Sequence, residues 1–177
     1  CCVTWSTKYG NINEEDLENI WNSKTANKFR QDLLNGVKNK ECEACYTNER
    51  LVGESLRLGL NRAHSNLITP NNPSLDNIKY IDIRASNICN FTCVMCNHDL
   101  SSRWTELDPF VGFPVPENKV VRINDDAKKT VINMMNDNIE DIYFAGGEPL
   151  ITDFHYEMLQ HLVNTGHAKN VRLRYNT

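Results

Sequence analysis

Apolar residues recur along this chain at two periods, one near 3.6 and one near 2. In "NEEDLENIWNSKTANKFRQDLLNG", Leu17, Ile20 and Trp21 share one helical face and Ala26, Phe29 and Leu33 share another. Asn13 and Ser23 suit N-caps and Gly36 suits a C-terminal stop, so two short helices are expected. They carry the chain to a turn bearing Cys42 and Cys45, and a third helix is expected through "NERLVGESLRLGLNRAH". The Asn/Pro-rich "ITPNNPSLDN" then reads as an exposed linker, with a domain boundary near residues 70 to 77.

Past the linker the pattern becomes strand, helix, strand, helix, strand. "YIDIR", "IEDIYFAG" and "NVRLRYN" read as strands. "DDAKKTVINMMND" reads as a helix with Ala127, Val131, Met134 and Met135 inward. "FHYEMLQHLVNTG" reads as another, with Met158, Leu159 and Leu162 inward and Gly166 as its stop. Helices between strands imply parallel crossovers, hence an α/β sheet or barrel whose ligands bind at the carboxyl ends of the strands. Asp82 and Arg84 alternate with Ile81 and Ile83 and are expected to point into such a barrel.

Composition narrows the partners. A net charge of -4 gives no electrostatic case for nucleic acid or an anionic membrane. No apolar run approaches the ~20 residues of a membrane span and no signal-peptide pattern is present, so a cytoplasmic protein is expected. The opening "CCVTW" and the closing "VRLRYNT" both look cut, and a fragment of a longer polypeptide is expected.

Seven cysteines in such a chain are expected as ligands or thiols rather than disulfides. They form two groups: Cys1, Cys2, Cys42 and Cys45, then Cys89, Cys93 and Cys96. The second group occupies eight residues of "NICNFTCVMCNHDL", directly after the strand "IKYIDIRAS". A disulfide framework wants an even number, and a structural zinc site closes four ligands around the metal. Three thiolates leave one position unfilled. "AGGEPLI" sits at the same end of the next strand, where Gly146 and Gly147 allow close backbone approach.

Together, "CNFTCVMC" and "GGEP" resemble the signature of the radical S-adenosylmethionine enzymes. The resemblance implies a partial (β/α) TIM-like barrel, of which residues 78 to 177 are the first half. It implies a 4Fe-4S cluster held by Cys89, Cys93 and Cys96, with S-adenosylmethionine on the fourth iron. Reductive cleavage of that cofactor to methionine and a 5'-deoxyadenosyl radical, and hydrogen abstraction from a small-molecule or peptide substrate, follow from it. Gly146, Gly147, Glu148 and Pro149 would hold the cofactor, with Glu148 accepting from the methionine ammonium. The position before the last cysteine is commonly aromatic in that family and lies beside the adenine; here it is Met95, a thioether that can still make apolar contacts. The resemblance also implies an electron donor such as flavodoxin or ferredoxin.

Residues 1 to 70 resemble a SPASM or twitch segment, the auxiliary-cluster module of many such enzymes, through "CC", "YGNI", "ENIWNS" and "LLNGVKNKECEACY". On that resemblance Cys1, Cys2, Cys42 and Cys45 are candidate ligands of a second iron-sulfur cluster, joined to the barrel by a linker over 71 to 77. The module stands before the barrel here, the reverse of the commoner order. C-x2-C suits zinc as well. The alternative function is a non-catalytic iron-sulfur or zinc-binding interaction module. Among the histidines, His98 lies nearest the cysteine loop, and His64, His155, His161 and His167 are expected on helix surfaces. Trp104 serves equally as a packing anchor or a substrate contact.

Overall fold

The computed structural model describes residues 7–65, 74–112, 114 and 116–177. The chain divides into two compact units, 1–75 and 76–177, and each is treated by itself.

In the first unit, α1 (Leu17–Trp21) and α2 (Lys24–Leu34) follow the expected periodicity. Ser23 caps α2, its hydroxyl accepting from the Ala26 amide, and Gly36 ends it at φ 72°. The N-cap of α1 is Asp16, not Asn13, whose amide instead donates to the Asn11 side chain in the preceding turn. The single helix expected over 48–64 is two helices, α3 (Glu43–Val52) and α4 (Leu56–Ala63). Gly53 adopts φ 72° at the end of α3, and the Ser55 hydroxyl accepts from Leu58 N to start α4. A left-handed glycine followed two residues later by an N-cap serine breaks the run.

The second unit is built on a three-stranded parallel sheet in the order β1 (Tyr80–Ile83), β2 (Asp141–Phe144), β3 (Arg172–Tyr175). Ile81 pairs with Ile142 and Ile83 with Phe144, while Tyr143 stands between Asp82 and Arg174. Because side chains alternate along a strand, one face collects the apolar residues. Ile83, Ile142 and Phe144 form the core there with Met135, Ile139, Phe154, Met158 and Leu162. Met135 and Ile139 come from the segment after α6 (Asp125–Asn133), which ends before the two methionines expected on it, and Phe154, Met158 and Leu162 come from α7 (Asp153–Asn164). Burying side chains of this size is worth about 1.5 to 3 kcal/mol each. The core therefore fixes which face of each strand the helices cover.

Between β1 and α6 the chain runs through the cysteine loop, a 3-10 turn (Ser102–Glu106) and a short helix α5 (Asp108–Val111). Asp82 and Arg84 lie on the face away from the helices, paired with each other at 3.0 Å. His155 departs from expectation. It is 2% exposed on the buried face of α7, one helical turn from Met158, rather than on the surface. Among the described residues no helix is long and apolar enough to cross a membrane.

Candidate functional site

The carboxyl ends of β1 and β2 carry the two motifs, and backbone hydrogen bonds join them. Gly147 N donates to Leu100 O at 2.9 Å and Glu148 N to Ile88 O at 2.8 Å. The turn after β2 is thus bonded near both ends of the cysteine loop. Its two glycines make the approach possible. Gly146 and Gly147 have φ of 77° and 61°, and a Cβ on Gly147 would stand 2.2 Å from Ile88 O. At Gly146 it would meet Arg84 Cβ at 2.8 Å.

A buried asparagine that the sequence did not single out organises the loop. Asn87, 3% exposed, donates through Nδ2 to the carbonyls of His98 and Lys119, and its Oδ1 accepts from Val121 N. Its own amide donates to Val121 O and its carbonyl accepts from Ser102 N. Two further side chains fasten the middle of the loop. Ser101 Oγ donates to Phe91 O at 2.7 Å, and Trp104 Nε1 donates to Cys93 O at 3.0 Å. Trp104 therefore anchors the loop backbone. The sequence marked Trp104 as a packing anchor or a substrate contact, but gave no sign of its bond to the Cys93 carbonyl.

Within this frame Cys93 is exposed and Cys89 and Cys96 are half-buried. Burial pushes the Cys96 thiol up, and the neighbouring Cys93 and Cys89 push it the same way. Three thiols this close resist becoming three thiolates unless a cation compensates them. Phe91 N donates to Cys89 Sγ at 3.4 Å, the kind of N–H to sulfur contact that tunes iron-sulfur centres. Among the described residues, no three His, Cys, Asp or Glu side chains converge on a point for a single metal ion. Soft thiolates on one short loop are the donor type that an iron-sulfur cluster takes from a protein.

Glu148 is 7% exposed, and its Oε1 accepts from Leu150 N, capping the 3-10 turn Pro149–Ile151. Among the described residues no cationic side chain pairs with it. A buried carboxylate with one backbone donor has capacity for a charged donor. Pro149 is buried at the start of the same turn, whereas Met95 is 89% exposed at the tip of the loop. His98 directs its ring nitrogens at carboxylates, Nδ1 lying 3.0 Å from the fully buried Asp108 and Nε2 3.7 Å from Asp99. The contact with Asp108 is close but not aligned as a hydrogen bond.

His155 lies behind the Gly-Gly-Glu-Pro turn. Its Nε2 is 3.0 Å from the Tyr175 hydroxyl, and its ring meets Phe144 edge-on at 4.9 Å. Burial lowers its pKa, against a smaller opposing effect of Glu148. The spacing of His155, Met158 and Leu162 on one helical face was the sequence signal for its burial.

In the first unit Cys42 is fully buried and Cys45 half-buried. The expected turn is a 3-10 turn, Lys40–Cys42, running directly into α3, so Cys45 is helical; Asn39 caps that turn by accepting from Glu41 N. The segment before α1 closes over this region. Gly10 packs where a Cβ would meet Ile20 Cγ1 at 2.6 Å, Tyr9 meets Phe29 edge-on, and Thr7 Oγ1 donates to Glu41 at 2.7 Å. Burial, then Glu41 and Cys42, push the Tyr9 hydroxyl up. Cys1 and Cys2 lie outside the described residues.

Residues 1–46 match the model of SPASM, an iron-sulfur cluster-binding domain. No curated protein and no solved structure matches the chain. Iron-sulfur cluster binding is thus supported for the segment that carries Cys42 and Cys45.

Proposed function

We propose that the chain is part of a radical S-adenosylmethionine enzyme with an auxiliary iron-sulfur segment before its catalytic unit. The SPASM match supports the auxiliary segment. The observation that carries the catalytic assignment is the docking of the Gly-Gly-Glu-Pro turn onto the three-cysteine loop at the carboxyl ends of adjacent parallel strands. On this reading the sheet is the first part of a TIM-like barrel.

Cys89, Cys93 and Cys96 would hold three irons of a 4Fe-4S cluster, and Glu148 would receive the ammonium of S-adenosylmethionine. When bound, the cluster would supply one electron for reductive cleavage of that cofactor, the step that prepares hydrogen abstraction from the substrate. This chain's residues bind and orient. Asn87, Ser101 and Trp104 fix the loop backbone. Gly146 and Gly147 bring the turn within reach, and Met95 is free to lie against the adenine. The substrate is a small molecule or a peptide, and a flavodoxin- or ferredoxin-like donor supplies electrons in the cytoplasm.

The test is cofactor cleavage by the full-length protein, reconstituted with iron and sulfide without oxygen. A Cys93→Ala variant is expected to release no 5'-deoxyadenosine. Normal release by that variant would remove the assignment and leave the alternative, a metal-binding interaction module.

A further inference from the structure

The sheet face opposite the core carries charge in an unusual arrangement for a parallel sheet, whose faces are ordinarily apolar on both sides. Tyr80, Asp82 and Arg84 of β1 and its end, Asp141 and Tyr143 of β2, and Arg172 and Arg174 of β3 share it. Three guanidinium groups face two carboxylates. Arg84 spends its fork on Asp82, donating from Nε at 3.0 Å and from a terminal nitrogen at 3.2 Å. Asp141, 4% exposed, accepts from Arg172 at Oδ2 and from Arg174 at Oδ1.

Arg174 differs from the other two. It donates through Nε alone, and among the described residues its terminal nitrogens have no acceptor. Its guanidinium is held over Tyr80 at 5.1 Å and near Tyr143 at 5.8 Å, with its side chain 46% exposed. A guanidinium fixed by a buried carboxylate and two aromatic rings keeps its orientation, so little freedom is lost when a ligand binds. Its free edge presents two parallel donors, the geometry that matches a carboxylate. We infer that this face seats a carboxylate group of the substrate, gripped by the terminal nitrogens of Arg174 in the field of the surplus positive charge.

The assignment of that carboxylate to a substrate rests on the enzymatic reading above; the site itself does not. The experiment records arginine Nε–Hε resonances of the full-length protein during titration with N-acetylglycine, with N-acetylglycinamide as the uncharged control. The Arg174 resonance is expected to shift saturably with the acid alone, also in the presence of saturating S-adenosylmethionine. Arg174→Gln is expected to weaken binding of the acid at least fivefold, and Arg174→Lys, which keeps the charge and loses the fork, less than that. Equal shifts with the amide, or with sodium chloride at the same ionic strength, would overturn the site. Loss of the shift on adding S-adenosylmethionine would give the seat to the cofactor and overturn the substrate assignment. Failure of the protein to cleave S-adenosylmethionine would refute the enzymatic reading while leaving the carboxylate titration intact.

Discussion

The amide of Glu148 donates to the carbonyl of Ile88 across 2.8 Å, tying the turn after β2 to the first residues of the cysteine loop. With Gly147 bonded to Leu100, the two motifs form one body. Displacing either end of that connection should be felt at the cysteines.

Gly147→Ala tests this most directly. Its φ of 61° and the Ile88 oxygen 2.2 Å from the added Cβ mean that both strain and a backbone clash must be relieved. Left-handed strain alone costs about 1 to 2 kcal/mol, and parting the two motifs adds to it. We expect a melting temperature far lower than that of Gly36→Ala, where φ is 72° and nothing lies within 4 Å. Equal losses in calorimetry would show that the turn does not clamp the loop.

Asn87→Ala removes partners from the carbonyls of His98 and Lys119 and from the amide of Val121. Stranded buried polar groups cost about 1 to 3 kcal/mol each. The variant should lose roughly 2 to 4 kcal/mol, and amide exchange should quicken around residues 97 and 121. Exchange that stays at the level of the unmodified protein would mean the loop is held elsewhere.

The buried neutral His155 makes stability depend on pH. Desolvation lowers its folded-state pKa below the unfolded value of about 6.5, so the unfolded chain binds the proton more readily. This contribution is complete above pH ~6.5 and is lost as the pH falls from there through the lowered folded value. His155→Gln should flatten that part of a denaturation series. An unchanged slope would assign the acid sensitivity to carboxylates.

Cys42→Ala combined with Cys45→Ala addresses the auxiliary segment. If the matched domain holds an iron-sulfur cluster, the full-length double variant should lose part of its iron, and on the proposed reading the iron that remains is at the loop of Cys89 to Cys96. Loss of about one zinc with iron unchanged would convict the zinc reading, and loss of neither metal would make these cysteines structural thiols.

Most of the fold was legible because its signals are local. Ser23 precedes α2, Gly166 follows α7, and Ile81, Ile83, Ile142 and Phe144 alternate as core strands must. The break at Gly53 was missed, because the apolar period continues across it and concealed the stop that the glycine and the N-cap Ser55 make. His155 was misplaced by residue type although its spacing from Met158 and Leu162 put it inside. Asn87 was beyond reach of pattern, because its partners at Lys119 and Val121 lie more than thirty residues away in irregular chain. The same holds for Arg174, whose role depends on strand register with Asp141 and Tyr143. The cysteine and glycine motifs were visible as text, and their backbone contact was not.

The bond between Gly147 and Leu100 also sets an order of events during synthesis. Fifty-one positions separate Cys96 from Gly147, and at about 5 to 20 residues per second the ribosome needs roughly 3 to 10 seconds to add them. Through that interval the nascent thiols lack the turn that shapes their loop and are open to oxidants and stray metal. Maleimide labelling of stalled nascent chains would reveal the window as a drop in thiol reactivity once residue 148 has left the exit tunnel. Labelling that falls before that length would show that the loop matures on its own.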